Sequence, residues 1–159
     1  MLLPLLVAAI ALGASGCGEE GAEEGATLNV YVSAPLQGAE GQQGRQLCDE
    51  AREQAAKGRG DEDFELRVIC LDASGPEGDW TLAKVGSNAR KATEDSASIA
   101  YIGEPTRAAR KQSQPIIEAA EIAAMGSRNG KEAIKAITAV LEEDDSDDPR
   151  ATVFDAIEG

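Results

Sequence analysis

The side chains able to do covalent or metal chemistry are few in this 159-residue chain: three cysteines, Cys17, Cys48 and Cys70, and no histidine. Zinc needs Cys and His ligands gathered at short spacings, which the chain does not offer, so no metal is expected. Ser33, Ser74 and Ser113 have no recognisable base or nucleophile turn beside them, and a serine without such help is a weak nucleophile. Carboxylates are abundant but unpaired in pattern. The run from Asp144 to Asp148 lacks the alternation and central glycine of a calcium loop and reads as a solvated linker. Gly38-Ala39-Glu40-Gly41-Gln42-Gln43-Gly44 lies between a strand and a helix, where glycines can cradle a phosphate, yet it matches neither nucleotide fingerprint. A carboxylate remains a possible guest for that helix start. Neither an enzyme nor a cofactor is expected.

Cys17 closes an uncharged segment that is apolar from Leu2 to Leu12 and ends in Ala14-Ser15-Gly16. The apolar run is too short to span a bilayer, and small residues before a cleavage point suit a signal peptidase. Residues 1–16 resemble a bacterial lipoprotein signal peptide, although Ala14 stands where a branched aliphatic residue is more usual and no Lys or Arg precedes the run. The resemblance implies diacylation of Cys17 and anchorage on the outer face of the cytoplasmic membrane. Two acyl chains hold a protein there stably, each buried methylene contributing about 0.8 kcal/mol. Residues 17–26 contain little but Gly, Ala and Glu and form a flexible acidic spacer. The formal charge of −14 repels nucleic acid and anionic headgroups, so no nucleic-acid partner is expected. With Cys17 lipidated, Cys48 and Cys70 are an even pair, and export favours a disulfide between them; two buried free thiols are the alternative.

The elements that must position any site follow from periodicity. Leu28 to Ser33 is a β-branched and aromatic run stopped by Pro35, and Phe64 to Leu71 alternates before turning continuously apolar. Ser98 to Ile102 is a third strand, halted at Gly103. Between them, Gln43 to Lys57 and Leu82 to Glu94 are amphipathic helices, the latter with Leu82, Val85, Ala89 and Ala92 on its apolar face and Asp79 placed to cap it. A helix is predicted from Pro105 to about Ala124, kinked or divided by Pro115. Further helices cover Lys131 to Glu142 and Arg150 to Ile157, separated by a charged break from Glu142 to Asp148. Alternating strands and helices predict an α/β three-layer sandwich with a small parallel sheet of three clear strands. Residues 27–159 then make one lobe, 27–124 its main part and 130–159 helices that return to it. Ligands in such open sheets sit beyond the carboxyl ends of the strands, here the loops starting at Ser33, Asp72 and Gly103.

Read in order, these segments resemble the amino-terminal lobe of the branched-chain amino acid binding proteins, type I periplasmic binding proteins that feed ATP-binding cassette importers. The likeness is carried by Ala34-Pro35-Leu36-Gln37-Gly38 after the first strand, Arg67 to Asp72, Asn88-Ala89-Arg90-Lys91-Ala92, Ile99 to Thr106 and Gln114 to Ala120, and covers about Thr27 to Ala124. It implies that the loops after the first and third strands grip the carboxylate and ammonium of an amino acid or similar small solute. Carried over, the ligand-binding residues are Leu36, Gln37, Gly38, Glu104, Thr106, Arg107 and Ala108. Gln37 replaces a usual small hydroxyl residue, and Arg107 brings a long cation where serine or threonine is common. Members of this family carry a second lobe that closes over the ligand. Here the chain passes from Met125 almost directly to Asn129-Gly130-Lys131-Glu132-Ala133-Ile134-Lys135, which resembles the family's late helix, and Asp148 to Val153 resembles the tail after it. The middle reads as deleted with both flanks kept. A lone lobe leaves its cleft face open to water and forgoes the affinity gained on closure. The implied partners are the solute, an importer permease and the membrane. The alternative is an interaction lobe, whose open face takes another lobe, a copy of itself or a permease, or a remnant with no small-molecule ligand.

Overall fold

A computed structural model describes residues 26–58, 64–104, 106–126, 129–143 and 146–158. The signal segment, Cys17, the spacer before Ala26, Pro105 and Asp144–Asp145 lie outside the described residues. The strands are β1 (Ala26–Ala34), β2 (Phe64–Asp72), β3 (Ser98–Gly103) and β4 (Ala123–Gly126). All pair in parallel, in the order β2-β1-β3-β4. The helices are α1 (Gly41–Ala55), α2 (Leu82–Thr93), α3 (Arg107–Glu118), α4 (Gly130–Glu143) and α5 (Pro149–Glu158).

The pleat divides the core in two. Leu28, Val30, Val32 and Ala34 of β1 pack with Leu66 and Ile102 against Leu47, Cys48 and Ala51 of α1, Ile134 and Ile137 of α4, and Val153 of α5. On the opposite face Tyr31 and Tyr101 pack with Ala89 and Ala92 of α2 and Ile117 of α3. A sheet buried on both sides explains the apolar runs, since neither parity has a solvent face. The returning helix α4 belongs to the first core. Its Gly130 lies so close to α1 that a β-carbon there would come within 2.1 Å of the Leu47 carbonyl oxygen.

Several details differ from the sequence expectations. The sheet has a fourth strand, because α3 ends at Glu118 and Ala123–Gly126 enters the sheet beside β3. Glu121 adopts φ +54°, and the amides of Ile122 and Glu121 donate to the carbonyls of Ile117 and Glu118. That is a Schellman-type reversal, made without the glycine that usually announces it. Pro115 stays inside a single helix rather than dividing it. Thr81, not Asp79, caps α2 by accepting from the Lys84 amide, and Leu82 is 59% exposed rather than part of the apolar face. Asp148, within the charged break, accepts the Arg150 and Ala151 amides and so caps α5 instead of being merely solvated.

Cys48 of α1 and Cys70 of β2 are joined as a disulfide, their Cα atoms 6.0 Å apart. That separation is an ordinary one for the bond.

Candidate functional site

Because β2 and β3 flank β1, the chain leaves β1 toward one edge and crosses to the other after β2. The connections therefore run over opposite faces, the arrangement that in open α/β sheets parts the adjoining loops into a crevice at the carboxyl edge, here those after β1 and β3. That reversal of strand order is where open α/β sheets bind ligands.

The β1 side of the crevice is a loop pinned to its neighbour. Asp72, ending β2, accepts the Leu36 amide at 3.0 Å, the Ser74 amide at 2.9 Å and the Gln37 side-chain amide at 2.8 Å. Ser74 Oγ accepts the Leu36 and Gln37 amides, both at 2.9 Å. Partial burial would raise the Asp72 carboxyl, but hydrogen bonds from Ser74, the Leu36 amide and Gln37 outweigh it and hold it down at about 2. Gly38 and Gly78, at φ +71° and +84°, complete the junction: a β-carbon on Gly38 would lie 2.2 Å from the Gly78 Cα. Only residues without side chains permit that approach. The Arg45 guanidinium donates to the Leu36 carbonyl.

The β3 side is organised by a buried carboxylate. Glu104 is 0% exposed, and its oxygens accept from Tyr101 Oη at 2.9 Å and Ser113 Oγ at 2.8 Å. Its own carbonyl accepts from Arg110 Nη1 at 3.0 Å. Burial, together with the Glu104 charge, pushes the Tyr101 phenol far above its ordinary range. Nearby, Asn88 Nδ2 donates to the buried Ser33 hydroxyl at 2.9 Å. Thr106 caps α3, its Oγ1 accepting the Ala109 amide at 3.3 Å, and Arg107 and Ala108 are exposed in the first turn.

Of the residues singled out from sequence, Leu36, Gln37 and Gly38 stand on one loop, and Thr106, Arg107 and Ala108 on the first turn of α3. The Glu104 side chain turns inward and is spent on Tyr101 and Ser113. Sequence reasoning did not single out Asp72 and Ser74 as the clamp on the β1 loop. The available signal was Asp-x-Ser at the end of a strand, a pattern in which both side chains can take neighbouring amides. Also unforeseen is a small cleft of 160 Å³ at the ends of β3 and β4, lined by Tyr101, Arg110, Ser113, Gln114 and Met125 among others. Trp80 packs beside Ala73, Val85 and Ala109, closing the space between the β2 loop and α3.

The fold is similar to part of solved substrate-binding periplasmic proteins. Three solved structures show it. A leucine binding protein from Thermotoga maritima aligns with 61% of this chain at TM-score 0.52 and 18% identity. A possible leucine/isoleucine/valine-binding protein from Rhodopirellula baltica aligns with 76% at 0.54 and 18% identity, and a substrate-binding periplasmic protein from Ralstonia solanacearum with 73% at 0.52 and 16% identity. The aligned part spans 26%, 36% and 38% of those chains, respectively. No protein-family model and no curated protein sequence matches the chain.

Proposed function

We propose that this chain is an exported solute-binding lobe that takes an amino acid of the branched-chain class in the crevice between the β1 and β3 loops. The observation that carries the reading is the reversal of strand order at β1, which brings the Leu36–Gly38 loop and the first turn of α3 to one edge of a sheet whose fold is shared with amino acid binding proteins. In this reading the Thr106 hydroxyl and the amides around Gly38 and Ala108 take the ligand carboxylate, and Arg107 adds a cation beside them. Leu36 and Gln37 shape the facing wall, and Glu104 holds the β3 loop from beneath. No bond is made or broken, and the chain is not an enzyme. Cys17 carries the lipid anchor, residues 17–26 are the tether, residues 27–159 are the binding lobe, and an importer permease receives the solute on the outer side of the cytoplasmic membrane.

Thermal unfolding of the protein with a panel of amino acids tests this. A ligand that binds only the folded state stabilises it by about 2.7 kcal/mol at one hundred times its dissociation constant. Leucine, isoleucine or valine should raise the midpoint, and Thr106→Ala should remove the rise. A cooperative transition indifferent to every amino acid overturns the ligand assignment. One observation favours the interaction reading in that event: the Leu36 and Gln37 amides, which a ligand would use, already donate to Asp72 and Ser74.

A further inference from the structure

The two edges of the sheet are finished differently. At one, β4 is four residues long and α5 lies beside it, Glu158 Oε1 accepting the Ala124 amide at 2.9 Å. At the other, β2 runs for nine residues, and β1 is its one strand neighbour among the described residues. Val68, Ile69 and Cys70 are only half-buried there, whereas their register partners Val30, Tyr31 and Val32 on β1 are buried. A long edge strand presents backbone donors and acceptors that another strand can use.

We propose that β2 pairs antiparallel with β2 of a second copy of this chain about a two-fold axis at Leu66, joining two four-stranded sheets into one. An axis normal to the sheet keeps each face continuous, so only residues of the same parity can stand opposite one another. Centred on Leu66, the segment Phe64–Val68 of the strand is complementary to itself. Glu65 faces Arg67 of the second copy, Phe64 faces Val68, and Leu66 faces Leu66. A centre at Glu65 or Arg67 sets like charges face to face, which destabilises a pair of strands. A centre at Val68 or Ile69 sets Arg67 against an apolar side chain. The pairing uses a surface distinct from the crevice and stands whether or not an amino acid binds there.

Sedimentation equilibrium of the purified protein over a wide concentration range tests the assignment. A reversible dimer is expected. Arg67→Glu and Glu65→Arg should each weaken it about tenfold, since each replaces two attractive cross-strand pairs by two repulsive ones. The combined exchange, with both substitutions, should restore it to within about threefold of the original, because it rebuilds the same pairs in reverse. Thermal melting of each variant separates loss of pairing from loss of fold. The amides of β2 should also exchange more slowly with solvent as concentration rises. A monomer at every concentration overturns the proposal, as does a dimer indifferent to either single reversal, or an exchange that fails to restore it.

Discussion

Both tyrosines of the chain are placed where ionisation is costly. Tyr31 Oη donates to Asp95 Oδ2 at 2.7 Å, beside a bond of the same length from Asn29 Nδ2. Burial first, then Asp95, pushes the Tyr31 phenol up to about 12, while Tyr101 sits against buried Glu104 and is raised as well. A phenol raised in the folded state contributes stability that is intact below pH 10, the ordinary value, and is lost as pH climbs through the folded value. The native protein should therefore show almost no tyrosinate absorbance at pH 10, and about half of the full signal should appear on addition of denaturant at the same pH. A normal titration with half the signal or more present at pH 10 in the folded protein would mean that these hydroxyls are solvated. Neither partnership was legible in the sequence. Asp95 lies 64 positions from Tyr31, and nothing local tells a buried Glu104 from an exposed one.

At the scale of elements, the disulfide links α1 to the edge strand β2 and closes a loop of 22 residues. In the chain-entropy account a closure of that size stabilises the folded state by about 3 kcal/mol. Reduction, or replacement of both cysteines by alanine, should lower the denaturant midpoint, with a steeper slope as the unfolded chain loses its constraint, measured by urea titration. Helix and strand identity was legible where the pattern was long: α1, α2, α4 and α5 and strands β1 to β3 lie within a few residues of their expected bounds. The boundary of α3 was not. Ala119, Ala120, Ala123 and Ala124 carry good helix propensity, and the stop depends on Glu121 taking a left-handed conformation that few non-glycine residues adopt. What selects it is the place waiting for Ala123–Gly126 beside β3, with Ile122 completely buried.

For the whole molecule, the excess of acid is the dominant long-range term. A formal charge of −14 repels itself in the compact state, and added salt screens that repulsion over about 8–10 Å at moderate ionic strength. Few ion pairs offset it among the described residues, the contact of Lys135 with Glu132 at 3.9 Å being exposed and weak. The melting midpoint should rise between low and moderate sodium chloride. A fall on adding salt would show that paired charges, not net charge, govern stability.

The sequence by itself determined the layering, since the strand and helix periods and their alternation left a parallel sheet covered on both faces as the consistent arrangement. It also pointed to the carboxyl edge as the place for a ligand and to Cys48 and Cys70 as partners. Only the tertiary structure decided which donors at that edge are already engaged. Asp72 and Ser74 hold the β1 loop, and Glu104 turns inward to Tyr101 and Ser113. Those bonds join residues made neighbours by strand order and register, and a hydrogen bond between segments far apart in the chain leaves no period in either of them.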